Sequence, residues 1–221
     1  MKTPESNYRF ERKWLFSNNY FDLYNKLLKS KFMFRKMYPE RKVHSIYFDD
    51  FLFSSVRQNL EGESEKFKIR LRWYGQNSEI LNNPKLEYKI KKNFMNRKII
   101  KDMPNLHNLN IKNIKDVIFI NKIVNSVYKK KVINPVSTTN YTRSYFISNN
   151  LKIRSTVDRN FEVSRFYNNL HIPIYKKFHK VILEMKYNKN YDNYVINNVT
   201  DISNRFSKNS KYINSIIHNF K

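Results

Sequence analysis

Lys66, Lys68, Arg70 and Arg72 occupy every second position of residues 66–75, with Phe67, Ile69, Leu71 and Trp73 between them. Successive side chains of an extended strand point to opposite faces, so the cations share one face and the apolar residues the other. A row of guanidinium and ammonium groups is suited to neutralising a polyanion. Arg does this through planar bidentate contacts, Lys as a compact point charge. The apolar row needs a core. The basic row cannot enter that core unpaired, because an isolated buried cation is far too costly. Taken alone, such a strand reads as a surface strand with its cations in water.

The same alternation recurs along the chain. Arg9, Glu11 and Lys13 share a face within residues 8–15, and Glu87, Lys89 and Lys91 lie opposite Leu86, Tyr88 and Ile90. Tyr141, Arg143 and Tyr145 alternate in residues 138–147. Lys152, Arg154, Thr156 and Asp158 follow, opposite Leu151, Ile153 and Val157, and Glu184 and Lys186 share a face in residues 181–187. Several mixed-charge faces backed by bulky apolar residues suggest a barrel with a polar lumen rather than separate solvated faces. The glutamates among the cations either pair them or hold a divalent metal between phosphate oxygens, since Mg²⁺ and Mn²⁺ prefer carboxylate oxygen.

The elements that must position these residues can be read in order. Residues 8–15 form a strand, and Ser17 caps a helix to about Ser30 in which Phe21, Tyr24, Leu27 and Leu28 make an ordinary core stripe. Residues 43–49 form a second strand. A turn or short helix (51–60) and a polar loop (61–64) lead into the strand at 66–74, and a further strand covers 85–92. Residues 93–110 read as loop. Asn113 caps a helix to about Tyr128. Strands follow at 138–147 and 151–158, joined through Asn149-Asn150, with 160–166 extending the sheet. A strand at 181–187, a polar linker and a helix from about Ile202 to Asn219 complete the chain. No repeat or sharp boundary divides it, so a single domain over residues 1–221 is expected.

Composition narrows the chemistry. There are 43 Lys+Arg against 18 Asp+Glu, a formal charge of +25, which calls for a polyanionic partner. Part of that excess follows a general Asn, Lys and Ile bias. Cysteine is absent, so thiolate chemistry and disulfides are excluded; with no apolar leader, a cytoplasmic location is expected. No apolar run reaches the ~18–20 residues of a membrane span, which leaves room for a membrane-protein partner. Two glycines, Gly62 and Gly75, cannot build a P-loop or a dinucleotide fingerprint. Phosphate binding must therefore rest on side chains. The five histidines show no metal-ligand spacing. The aromatics lie mostly opposite the basic faces, as core, so no specific nucleic-acid partner is expected.

The ordered set of motifs resembles a VTC domain, the polyphosphate-polymerase domain of the triphosphate tunnel metalloenzyme superfamily. The matching pieces are Phe10-Glu11-Arg12-Lys13, Ser45-Ile46-Tyr47-Phe48-Asp49, Lys68-Ile69-Arg70-Leu71-Arg72 and Leu86-Glu87-Tyr88-Lys89. They continue with Tyr141-x-Arg143, Ile153-Arg154 leading to Asp158, Leu183-Glu184-Met185-Lys186, and Ser210-Lys211-Tyr212-Ile213. The resemblance implies an α+β fold: a closed antiparallel barrel of about eight strands, with flanking helices, walled inside by Lys, Arg and Glu. It implies ATP and triphosphate or polyphosphate as ligands, Mn²⁺ or Mg²⁺ as cofactor, and transfer of the ATP terminal phosphoryl group onto a growing polyphosphate chain. By motif, Lys13, Arg70, Arg72 and Lys89 would be catalytic, and Lys68, Arg143, Arg154, Lys186 and Lys211 would bind phosphate. Glu184 would be the principal metal ligand, with Glu11 and Glu87 as further candidates. The hydrolase branch of the superfamily opens on Glu-x-Glu-x-Lys, whereas this chain has Arg9-x-Glu11-x-Lys13. That departure favours the polymerase over a metal-dependent triphosphatase or a cyclase. A non-catalytic binding module on the same fold would need the same cations. The regulatory and transmembrane modules of the eukaryotic relatives are missing from these residues, so a bare catalytic domain is expected.

Overall fold

The computed structural model describes residues 9–17, 19–92, 95–203 and 205–220. Among them are nine strands and five α-helices: β1 (Arg9–Phe16), α1 (Tyr20–Lys29), β2 (Arg35–Asp49), α2 (Ser54–Leu60), β3 (Glu65–Tyr74), β4 (Lys85–Lys92), β5 (Met95–Asp102), α3 (Ile114–Tyr128), β6 (Asn134–Ile147), β7 (Arg154–Tyr167), β8 (Leu170–Phe178), β9 (Val181–Asn188), α4 (Asp192–Asn198) and α5 (Lys211–Phe220). The strands form one sheet in the order β1-β9-β7-β6-β2-β3-β4-β5, with β8 added to β7. The pairings β1–β9, β7–β9, β2–β3, β3–β4 and β4–β5 are antiparallel. The α+β class and the antiparallel sheet match the expectation. Closure does not: among the described residues no hydrogen-bonded pairing joins the end strands β1 and β5. No helix is long and apolar enough to cross a membrane among the described residues.

The chain packs as two compact units, each assembled from separated segments. One comprises Met1–Arg41, Tyr141–Phe161 and Phe178–Asn209; the other comprises Lys42–Asn140, Glu162–Lys177 and Ser210–Lys221. The first is built on Trp14, Leu23, Leu27, Phe32, Phe34, Phe146, Leu183 and Met185, all buried. Leu23 and Leu27 lie one turn apart on α1. That helix is capped by Asn19 Oδ1, which accepts from Asp22 N at 3.0 Å. Ser17, the expected cap, lies outside the helix because α1 starts three residues later.

The second unit is built on Ile46, Phe48, Ile69, Leu71, Trp73, Leu86, Val117, Ile120 and Val124. Asn113 caps α3, accepting from Lys115 N at 2.9 Å, and the i, i+3, i+7 spacing of Val117, Ile120 and Val124 turns one helical stripe onto the sheet. Fully burying each such side chain contributes about 1.5–3 kcal/mol.

Five elements differ from the sequence reading. β2 begins at Arg35, because its first eight residues are exposed and carry no apolar alternation. β5 occupies part of the expected loop; its exposed Ile99 and Ile100 are adjacent rather than alternating. β8 holds Pro173 and an exposed Ile174, features tolerated on an edge strand. α4 interrupts the polar linker, burying Val195, and α5 starts only at Lys211. Part of the intervening chain pairs with β1, Ser207 N donating to Lys13 O at 2.8 Å.

Candidate functional site

In the second unit the charged face of β3 meets β4 and β5 in register. Arg70 lies opposite Glu87, and Lys68 opposite Lys89, which in turn faces Lys98 on β5. Glu87 gathers the cations. Arg70 Nε donates to Glu87 Oε2 at 2.6 Å, Lys98 Nζ donates to Oε1 at 2.8 Å, and Arg72 Nη1 lies 3.7 Å from Oε1. Arg70 Nη1 also donates to the Tyr47 hydroxyl at 3.4 Å. These groups are not a solvated face: Arg72 is 6% exposed and Glu87 5%. Burial pushes the Glu87 carboxyl up, but Arg70, Arg72 and Lys98 outweigh it and bring its pKa down to about 2. Burial also lowers Lys98; Glu87 works against that, while Arg70 and Arg72 add to it.

The row Lys68–Lys89–Lys98 places like charges directly opposite one another on three neighbouring strands, with Lys98 reaching across to Glu87. Lys68 Nζ donates to Ser210 Oγ at 2.9 Å, just before α5, and the same oxygen accepts from Ile213 N at 3.3 Å. Lys211, half-buried, opens α5 beside it. The next residue is structural: Tyr212 donates to Asp49 Oδ2 at 2.6 Å and stacks on Tyr47 at 4.9 Å. Asp49 also accepts from Asp50 N, Ser55 N and Val56 N, so its oxygens are taken up by the start of α2 and by α5.

The first unit holds a cluster of different balance. On β1 and β9, Glu11 lies opposite Lys186 and Lys13 opposite Glu184. Lys13 Nζ is 2.8 Å from Glu11 Oε1 and 3.5 Å from Glu184 Oε2. Lys186 Nζ is 2.7 Å from Glu184 Oε1 and 3.8 Å from Glu11 Oε2. Two carboxylates and two ammonium groups thus alternate within one patch. Burial pulls Lys13 down, yet Glu184 and Glu11 outweigh it and its pKa lies above the ordinary value. Lys13 Nζ also donates to Asn209 O at 3.3 Å. Arg143 on β6 makes a two-pronged contact with the fully buried Asp158 of β7, the strand next to β9, at 2.6 and 2.7 Å. Burial works against the Arg143 charge, but Asp158 first, then Tyr141 and Glu184, hold its pKa well above the ordinary arginine value. Arg154 lies opposite Lys186 in register, and both side chains are exposed.

The sequence-derived residues thus separate into two sets. Arg70, Arg72, Lys89, Lys68, Glu87 and Lys211 belong to the second unit; Lys13, Glu11, Glu184, Lys186, Arg143 and Arg154 belong to the first. Lys98 and Asp158 were not among the candidates. Lys98 lies on the strand read as loop, whereas Asp158 stands on the charged face and in the motif that follows Ile153-Arg154 but had no role assigned to it. Among the described residues no three His, Asp or Glu side chains form a ready-made metal site. Glu11 and Glu184 nonetheless suit Mg²⁺ or Mn²⁺, which are commonly held by one or two carboxylates plus substrate phosphates. The oxygens of Glu87 contact Arg70 and Lys98, as those of Glu184 contact Lys186 and Lys13.

The VTC domain family matches residues 8–219. No curated protein matches the chain by sequence. Among solved structures, an adenylate-cyclase candidate from Vibrio parahaemolyticus is similar, with 10% identity, a TM-score of 0.53, and coverage of 94% of this chain and 97% of that one. An adenylyl-cyclase candidate from Hippeastrum, described as having a dominant triphosphatase activity, is similar at 10% identity and a TM-score of 0.55, covering 95% of each chain. At such identity the likeness concerns the fold, that of the triphosphate tunnel proteins. With the family matched over nearly all of its length, the chain belongs to the VTC domain family.

Proposed function

We propose that this protein is a metal-dependent, polyphosphate-polymerase-like enzyme acting on ATP and a phosphate chain. The observation that carries the reading is the gathering of Arg70, Arg72 and Lys98 around the buried Glu87, next to the like-charged row Lys68–Lys89–Lys98. Such a face offers several cations side by side, which suits the closely spaced charges of a phosphate chain. A terminal oxygen of the acceptor chain attacks the γ-phosphorus of ATP, the bond from that phosphorus to the β–γ bridging oxygen breaks, and ADP leaves. Phosphoryl transfer needs alignment and neutralisation of the transferring oxygens more than covalent help. Arg70 and Arg72 are held by Glu87 before any ligand arrives, so they lose less freedom on binding. Lys13, Arg143, Lys186 and Arg154 are the corresponding cations of the first unit, and Lys211 belongs with those of the second. Glu184 and Glu11 would hold Mn²⁺ or Mg²⁺, which when bound offsets the charge of the phosphate oxygens.

A second reading, metal-dependent triphosphate hydrolysis, draws on the Glu11–Glu184 pair and on the activity described for the Hippeastrum protein. One assay separates the readings: the protein with ATP, Mn²⁺ and a short polyphosphate primer. ADP together with lengthened polyphosphate supports the polymerase. Orthophosphate release without polymer would replace it with the hydrolase, and triphosphate binding without turnover would reduce the protein to a binding module. Competition by single-stranded DNA at concentrations matching short polyphosphate would count against a phosphate-chain site.

A further inference from the structure

Two adjoining loops of the second unit carry apolar residues where turns usually carry polar ones. Phe51 and Leu52 are the corner residues of a turn closed by Phe53 N donating to Asp50 O at 3.0 Å, and they are 89% and 65% exposed. Gly, Pro, Asn, Asp and Ser dominate such corners. The turn is held firmly. Phe53 adopts a left-handed conformation, φ 51, and packs against the cluster of Tyr47, Val56 and Tyr212, while Ser54 N donates to Asp50 Oδ1 at 2.9 Å. The α3–β6 loop lies beside it, because Lys131 ion-pairs with Asp50. That loop presents Lys129, Lys130 and Val132, all exposed. It is held by the Asn125 side chain, which donates to Ile133 O at 2.8 Å and accepts from Ile133 N at 2.9 Å. Lys130 Nζ sits 5.0 Å from the Phe67 ring centroid. The acidic residues Glu61, Glu63 and Glu65 follow α2, at the opposite end of that helix from Phe51 and Leu52.

We propose that these two loop tips dock the protein on an anionic lipid surface, Phe51, Leu52 and Val132 entering the interface and Lys129 and Lys130 meeting the headgroups. The occupant follows from shape and charge. Two hydrogen-bonded loop tips with apolar ends and a lysine rim suit a penetrable interface, where apolar burial and attraction to anionic lipid act together. Asp50 is already neutralised by Lys131 and does not oppose the approach.

The test is co-flotation of the full chain with phosphatidylcholine vesicles, with and without phosphatidylserine, together with fluorescence of the Phe51→Trp variant. Co-flotation is expected only with the anionic vesicles. Replacing Phe51 and Leu52 together by Ser should weaken it by about tenfold or more, and replacing Lys129 and Lys130 by Ala by about tenfold. Trp14 and Trp73 are fully buried, so the new indole should report the interface, shifting blue and being quenched by spin-labelled acyl chains. Absence of co-flotation overturns the proposal. So does co-flotation with an unshifted indole, which would mean adhesion by bulk positive charge. A blue shift that grows with protein concentration in the absence of vesicles would assign the tips to a second copy of the chain instead.

Discussion

Replacing Glu87 by Gln removes the charge that Arg70, Arg72 and Lys98 share while keeping nearly the same volume. The cations lie 2.5, 3.7 and 2.8 Å from its oxygens. At an effective dielectric near 20, the most distant pair alone is worth about 4–5 kcal/mol of gross attraction, much of it offset by desolvation. The net value follows from titration: a carboxyl at about 2 in place of 4.5 corresponds to about 3 kcal/mol of folding stability. Glu87 is almost fully buried, so solvent screening does not discount that figure. The folded state holds this carboxyl deprotonated more strongly than the unfolded one. Its contribution is therefore complete above pH ~4.5 and is lost as pH falls towards ~2. At pH 7 the Gln variant should melt about 6–12 °C below the parent protein. Near pH 3 the difference should narrow by more than half, since protonated Glu87 then resembles Gln. Thermal and urea denaturation at both pH values measure this. Equal stability at pH 7, or a gap as wide at pH 3, would refute the account of Glu87 as the anion that holds these cations.

Three other outcomes follow from the same structure. Tripolyphosphate at about a hundred times its dissociation constant should stabilise the fold by about 2.7 kcal/mol at low salt, a melting shift of several degrees, by relieving the Lys68–Lys89–Lys98 row; an unmoved melt would count against phosphate-chain binding. Glu184→Gln should weaken Mn²⁺ binding in the presence of triphosphate by about tenfold or more, measured by calorimetry, whereas Glu87→Gln should change it less. His171 is buried, with Nε2 2.7 Å from Ser164 Oγ; burial brings its pKa down to about 4, Glu79 opposing and Lys112 assisting. Stability should be full above pH ~6.5 and fall by on the order of 2–3 kcal/mol as pH drops to ~4. His171→Gln should flatten that profile in urea titrations; an unchanged slope would show that other groups set it.

Strands whose two faces differ sharply were legible from sequence. In β3, Phe67, Ile69, Leu71 and Trp73 against Lys68, Arg70 and Arg72 fix both period and phase, and β4, β7 and β9 follow the same rule. Where both faces are exposed, as in the first half of β2, or where apolar residues are adjacent, as Ile99 and Ile100 in β5, periodicity says nothing. Pairing partners are set by long-range register, which no local pattern encodes. Hence the Arg70–Glu87 contact could be anticipated only as two charges on separate strands, and Lys98, on an unrecognised strand, not at all. The Ser17 cap failed for a simpler reason: Asn19 is the better-placed competitor two residues on, and its side-chain oxygen reaches Asp22 N.

β5 ends the ladder, and that position has a kinetic consequence. Terminal strands open more readily than those flanked on both sides, so amide exchange should be fastest there. Each such fraying event would carry Lys98 away from Glu87 and lower the local positive potential for its duration. An incoming phosphate chain that engages Lys98 would hold the strand down. Slowed deuterium uptake across Met95–Asp102 would then register ligand arrival independently of any catalytic turnover.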